Sequence, residues 1–361
     1  MTPALLIYPA VVRANIEATL RMAGGDANRW RPHLKTAKIP AVIRMLIAAG
    51  VRNVKCSTTL ELLVACQEGA ADVLLAFSVT GANARRVLQI AESYRGKTRI
   101  SVLVETEEQL TAWQGEAVGI FLDINSGMNR TGMSQERIGE IVALAKLAGR
   151  QFRGLHYYDG HMSGVAAPER ERKTHEGYDW LLRLVDTLNK AGLPPDEVIT
   201  SGTPAAPYAF SFAGFKNASF VHRISPGTVV YNDMSSLEQL SGFGYAPAAL
   251  VLTTVISHPT PDTVTCDAGH KSVSADAGVP TCTVLEHEGF MPLKPSEEHL
   301  PINCGTPDAR PAVGDHLYLL PRHVCPTVNN FDEALFVEDG RIGPAERVSA
   351  RGHETLVLQS A

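Results

Sequence analysis

The sequence predicts a mixed α/β protein, a (β/α)8 TIM barrel followed by a smaller all-β domain. Three observations predict it. From Ala14 to about Gly242, short β-rich apolar runs alternate with longer helical patterns, as repeated βα units on a parallel sheet require. After Gly242 the helical period stops, and segments such as ALVLTTVISH, TVTCDAG, HLYLLP and ALFVEDG follow one another between Pro, Gly and Asp. A chain of 361 residues with 45% hydrophobic and 20% charged content is also long enough to bury one large and one smaller core.

Strands are expected at VKCS (54–57), VLLAFS (73–78), ISVLVE (100–105), GIFLDIN (119–125), GLHYY (154–158), VITSG (198–202) and FVHRIS (220–225). Helices are expected at 13–23, 37–49, 59–68, 81–93, 106–113, 134–148 and 173–191. Seven or eight such repeats in about 230 residues fit a closed barrel, which carries its chemistry at the strand C-termini and the loops that follow. A doubly wound open sheet is the structural alternative. The expected boundaries are 13–242 for the barrel and 243–361 for the β domain, with residues 1–12 (ALLIYP) woven into the latter.

The net charge of −5 and the absence of any Lys/Arg stripe argue against a nucleic-acid partner. No apolar run reaches the length of a bilayer span, so no membrane association is expected. The N-terminal MTPALLIYPAVVRANIE lacks a basic segment, apolar core and cleavage site in succession, which sets the expectation of a cytoplasmic protein. Six cysteines are scattered without CxxC pairs, which argues against a disulfide framework or a closed structural zinc site. Most read as small buried apolar residues, with Cys325 the exception.

The densest chemical signal is RPHLKTAK (31–38), where Lys35 lies between a polar turn and the helix expected from about Ala37. A partly desolvated lysine at a barrel strand's end suits imine formation with an aldehyde cofactor. On local evidence a surface lysine before a helix reads equally well. Two glycine turns, SGTP (201–204) and SPGTVVY (225–231), offer backbone N–H groups and hydroxyls to a phosphate late in the repeat series.

Read in order, TPALLIYPAVVRANI, RPHLKTAK, DINSGMNRTG (123–132), SGTP and ISPGTVVYND (224–233) resemble the fold-type III pyridoxal 5'-phosphate (PLP) enzymes related to alanine racemase, across the whole chain. The resemblance implies a PLP barrel with Lys35 as Schiff-base lysine and Arg130 beside the cofactor's phenolic oxygen, where a cation favours the phenolate. It puts Tyr158 against the pyridine face, and Gly202, Thr203, Gly227 and Thr228 around the phosphate with Tyr231 close by. The sequence departs from the racemases at Ser225, where they carry an arginine that pairs with the pyridine nitrogen. An obvious counterpart of their opposite-face tyrosine is also missing, which disfavours racemisation.

The β domain supplies LPRHVCPTVNNFDEALFV (320–337). His and Cys two apart on an extended strand point to one side, so His323 and Cys325 can meet one ion, and imidazole with thiolate suits Zn²⁺. An isolated HxC more often marks a buried strand. The PxHxCPTVN string, however, resembles the metal motif of the D-serine dehydratase/D-threonine aldolase branch, as do SEEH (296–299) and DAGHKSVSAD (267–276). That resemblance implies a divalent metal (Zn²⁺, with Mn²⁺ or Mg²⁺ as alternatives), a homodimer, and a lyase acting on a small D-3-hydroxy amino acid. The reaction is then dehydratase-type β-elimination or aldolase-type retro-aldol cleavage. His161 in YYDGHMSG is a candidate base for the second, or an exposed loop histidine. The competing functions are an amino-acid racemase and a non-catalytic PLP-binding protein.

Overall fold

The computed structural model describes residues 1–355; residues 356–361, the end of the expected C-terminal domain, lie outside the described residues. The chain packs into two units. One holds Thr19–Lys35, Leu46–Gly227 and a short stretch from His353; the other holds Met1–Ala18, Thr36–Met45 and Thr228–Gly352.

The first strand, β1 (Ala4–Ile7), belongs to the second unit. The next seven build the first: β2 (Asn53–Cys56), β3 (Asp72–Leu75), β4 (Arg99–Val104), β5 (Gly119–Asp123), β6 (Phe152–Tyr157), β7 (Glu197–Thr200) and β8 (Val221–Ile224). They pair in parallel, in strict chain order. Nearly every strand residue is buried on both faces, which is why these runs read as continuous rather than alternating apolar segments. Leu74, Leu103, Phe121 and Ile199 meet as one apolar cluster, each worth roughly 1.5–3 kcal/mol of burial. Side chains cap the helices between strands: Thr58 accepts from the Glu61 N–H at 3.0 Å and Thr106 from the Gln109 N–H at 3.1 Å, contributions of about 1 kcal/mol each.

The two edges of this sheet, β2 and β8, are bridged by Trp30–His33. Trp30 pairs with Ile224 and His33 with Lys55; the Arg31 N–H donates to the Ile224 carbonyl at 2.8 Å and the Lys55 N–H to the Pro32 carbonyl at 2.9 Å. This vestigial eighth strand, at a polar stretch without a β signature, closes the ring and rules out the open doubly wound alternative. Too short for a full ladder, it is held by side chains. The Trp30 indole donates to the Pro226 carbonyl at 2.9 Å, and the fully buried Arg31 guanidinium reaches Glu197 at 2.7 and 2.8 Å and Asp72 at 2.9 Å. Burial opposes the Arg31 charge, but the two carboxylates overcome it and raise the guanidinium further.

The second unit is mostly β. Its strands are β1 with β9 (Ala249–Thr260), β10 (Thr263–Cys266), β11 (Cys282–Val284), β12 (Met291–Pro292), β13 (Leu300–Asn303), β14 (His316–Pro321), β15 (Glu333–Glu338) and β16 (Arg341–Arg347). β1 runs antiparallel to β9 and parallel to β15, so the first residues are woven into this sheet. Alternate residues of these strands, among them Val251, Val255, Val264, Ile302 and Leu319, form its core. All six cysteines are buried thiols outside any disulfide. Among the described residues no helix is long and apolar enough to cross a membrane.

Candidate active site

Lys35 lies in the short helix Leu34–Ala37, directly after the segment that closes the barrel, and is partly buried. Its N–H donates to the His33 Nδ1 at 3.3 Å. The β8 turn folds tightly onto this segment: a Cβ on Gly227 would sit 2.3 Å from the His33 carbonyl oxygen, so only glycine fits.

Arg130 comes from the loop after β5, which Asn125 shapes by accepting from the Gly127 and Asn129 N–H groups, both at 3.0 Å. Its guanidinium lies over the Tyr158 ring, 5.1 Å from the centroid. Tyr158 follows β6, and the Ser126 hydroxyl donates to its carbonyl at 2.6 Å. Its ring fills space left by a glycine at the end of β7, since a Cβ on Gly202 would lie 2.9 Å from it. His161 sits in the turn Gly160–Gly164. Its Nδ1 is buried without a partner, and burial together with the Lys173 charge lowers its pKa.

At the ends of β7 and β8, the Ser225 N–H and hydroxyl both donate to the Ser201 carbonyl, at 3.1 and 2.8 Å. The residue replacing the racemase arginine is therefore a loop-to-loop tie. Ser201 adopts φ 53°, and its buried hydroxyl has no protein partner. Thr203 opens a 3-10 turn beside it. An orphaned buried hydroxyl next to a glycine turn fits a phosphate-bearing cofactor. The Gly202 N–H is committed elsewhere, donating to Asp159 Oδ1 at 3.1 Å. Burial pushes the Asp159 carboxyl up to about 6 against its hydrogen bonds from Tyr178 and Gly202.

Thr228, Tyr231, His323 and Cys325 belong to the other unit. The Thr228 hydroxyl is 3.5 Å from the Cys325 sulfur, and the Thr36 hydroxyl is 2.9 Å from it. Tyr231 is fully buried and spends its hydroxyl proton on the Ala37 carbonyl at 2.8 Å. The HxC pair does not lie on an extended strand. His323 is the extended N-cap and Cys325 is in the first turn of the helix Val324–Asn329, where Pro326 is tolerated and the Val324 N–H donates to Asp233 Oδ2 at 3.0 Å. The two side chains nevertheless hydrogen-bond each other.

Asp276 holds the His323 Nδ1 at 2.7 Å, which orients the ring. Burial lowers the imidazole's proton affinity, but Cys325 and Asp276 outweigh it and raise the pKa to about 9. An imidazole oriented by a carboxylate beside a thiol fits a divalent ion with open coordination positions, which would bind in place of their protons. Among the described residues no group of three or more His, Cys, Asp and Glu side chains is arranged to hold one.

Three residues that sequence reasoning passed over stand inside the barrel. Lys55 on β2 is 1% exposed, and its Nζ lies 3.2 Å from the His156 Nε2 on β6 and 5.2 Å from the Tyr158 ring centroid. The His156 Nδ1 lies 2.7 Å from Asp123 Oδ1 on β5, whose other oxygen accepts from the Thr131 hydroxyl at 2.8 Å. The signal was available: VKCS, GIFLDIN and GLHYY place Lys55, Asp123 and His156 within largely apolar strands.

Comparison with known proteins agrees with this geometry. The alanine racemase N-terminal domain family matches residues 7–234, and a putative serine dehydratase domain matches residues 248–337. The chain is 27% identical to a D-threonine aldolase of Arthrobacter sp, covering 97% of this chain and 93% of that one. It is 26% identical to a D-threo-3-hydroxyaspartate dehydratase of Delftia sp. (strain HT23), covering 96% and 97%. The crystal structure of D-threonine aldolase from Filomicrobium marinum superposes with a TM-score of 0.87 at 25% identity, covering 97% of this chain and 96% of that one. The barrel with its lysine after the closing strand, the two glycine turns and the matched domains together show that the chain belongs to the alanine racemase N-terminal domain family, the fold-type III PLP enzymes, in the branch that also carries a serine dehydratase domain.

Proposed function

We propose that this enzyme is a PLP- and metal-dependent lyase that cleaves the Cα–Cβ bond of a small D-3-hydroxy amino acid, giving glycine and an aldehyde. His161 carries the choice of bond. Its unpartnered buried Nδ1 and its lowered pKa mean a neutral imidazole at pH 7, the form that accepts a proton from the substrate hydroxyl. When bound, PLP supplies an electron sink for charge developing at Cα, and the metal a Lewis acid for the β-oxygen. Lys35 is the covalent anchor, and Arg130 the cation at the phenolic edge. Ser201, Thr203 and Gly227 are read as the phosphate cup, and within the second unit Tyr231 braces the Thr36–Ala37 turn. His323 and Cys325 are read as ligands of a zinc ion, oriented by Asp276.

β-Elimination is the second reading, supported by the dehydratase among the relatives. In it Lys35 removes the Cα proton, the β-hydroxyl departs as water, and the released enamine tautomerises and is hydrolysed by a second water to a 2-oxo acid and ammonia. Incubating holoenzyme with D-threonine, D-serine and D-3-hydroxyaspartate distinguishes the two. Glycine with an aldehyde, lost in His161→Ala, supports cleavage; ammonia with a 2-oxo acid, unaffected by that substitution, refutes it. A homodimer in the cytoplasm completes the proposal. Six thiols outside any disulfide accord with a reducing compartment, and sizing chromatography tests the dimer.

A further inference from the structure

Lys55 is a second lysine inside the barrel that the reading above does not use. It is buried, yet among the described residues it pairs with no carboxylate; its hydrogen-bond partner is His156. The direction of each proton in this chain follows from chemistry. Asp123 is buried, and its pKa is lowered because the hydrogen bond and charge of His156, the Thr131 hydroxyl and the Lys55 charge outweigh the cost of burial. An ionised carboxylate can only accept, so His156 carries its proton on Nδ1. Burial and the Lys55 charge keep that imidazole neutral. Its Nε2 lone pair therefore faces Lys55, which donates to it. The result is an ordered line from amine through imidazole to carboxylate.

His33 is the bridge partner of Lys55, so the turn that carries Lys35 directly follows the segment paired with the Lys55 strand. The groups around Lys55 decide its charge. Burial weighs most, followed by the Lys35 charge, and both lower its pKa; Asp123 and Asp159 raise it, and Arg130 lowers it again. Asp159 is itself tied to the Tyr178 hydroxyl at 2.9 Å and to the Gly202 N–H. Lys55 and Arg130 both lie over the Tyr158 ring. A residue present only to fill the barrel would not need an ionisable end, since Met or Leu matches the stem at no desolvation cost.

We propose that Lys55, His156 and Asp123 form a buried proton relay that exchanges a proton with Lys35, making Lys55 a positioning residue for the reaction. When Lys35 holds an extra proton, the Lys55 nitrogen lone pair takes it: an N–H bond on Lys35 breaks, one on Lys55 forms, and the positive charge moves by one residue. The line through His156 to Asp123 stabilises the charge while Lys55 holds it, and the reverse transfer restores the start. Rapid transfer requires an acceptor whose proton affinity lies near neutrality, which an exposed lysine does not have. The proposal rests on Lys35 being the cofactor lysine but not on which substrate bond breaks.

The test titrates the visible absorbance of the resting holoenzyme with pH, without substrate, in wild type, Lys55→Met, His156→Gln and Asp123→Asn. Wild type is expected to show an ionisation near 7, the value to which Lys55 is lowered. It should vanish in Lys55→Met and move by about one unit or more in Asp123→Asn. With substrate, Lys55→Met should lower kcat by about 10²-fold at unchanged KM, with partial recovery in His156→Gln, which can still accept from Lys55. Superimposable titrations in all four proteins, or kcat within twofold of wild type in Lys55→Met, overturn the relay. If Lys55→Met fails to load cofactor, the Asp123→Asn titration decides alone. Product identity does not enter this result, so an elimination outcome refutes the cleavage reading while leaving the relay standing.

Discussion

Arg31 and Glu197 form a bidentate ion pair, with Nε and Nη2 2.7 and 2.8 Å from the two carboxylate oxygens, both side chains fully removed from solvent. It fastens the closing segment to β7, while Asp72 fastens it to β3. Glu197→Gln leaves Arg31 and Arg223 short of a buried counter-charge. The expected loss is roughly 3–5 kcal/mol of stability, read as a lower urea midpoint, and an unchanged midpoint would contradict this account of closure.

Lys35→Ala should abolish covalent cofactor attachment. Borohydride treatment followed by mass spectrometry of the wild type should place the cofactor mass on the peptide containing Lys35, and the variant should carry none. Activity is expected to fall by at least about 10²–10⁴-fold, the contribution of a positioned acid–base group.

Chelation tests the metal pair. EDTA treatment, or Cys325→Ser, should reduce kcat by about 10³-fold or more, since a Lewis acid supplies several kcal/mol to the transition state. Zn²⁺ should restore the chelated wild type, and metal analysis should find about one ion per chain in wild type and little in His323→Ala.

His222 sets part of the acid limb of stability. Burial, then the Arg29 charge, lowers its pKa from 6.5 to about 3, while its ring stacks on Phe215 at 4.1 Å and its Nε2 meets the Thr200 hydroxyl at 2.8 Å. The unfolded chain therefore binds a proton that the folded one refuses. The stability this group contributes is complete above pH 6.5 and is lost as pH falls towards 3, about 5 kcal/mol over the whole range. His222→Phe should weaken that decline between pH 6.5 and 3, measured as melting temperature against pH.

The seven βα repeats were legible because each strand is a short apolar run bounded by turn residues and each helix carries its own period. The closing strand was not, because Arg31 and His33 give it a polar composition that only its ion pairs explain. The helix expected at 173–191 begins at Ala167, with Pro168 and Glu169 in its first turn, a start masked by the run of charged residues after it. Lys35, Arg130 and the glycine turns stood out through their neighbours in sequence. Lys55, His156 and Asp123 did not, because they come from three strands that only the barrel brings together. The HxC spacing was visible, whereas its geometry depended on a helix start that Asp233 caps from far away in the chain.

The bridging of β2 and β8 by Trp30–His33 means that barrel closure and Lys35, the lysine we propose as cofactor anchor, share one span of chain. Anything gripping Lys35 therefore draws on the same free energy that keeps that span docked, by the reciprocity that governs all linked equilibria. Amide deuterium uptake at Arg31 and Lys55, whose N–H groups make the two rungs, should slow when the cofactor is loaded, while uptake on β4 and β5 stays constant. The vitamin-derived ligand would then act as a clasp as well as a reagent, and cells short of it would carry this enzyme with its barrel ajar.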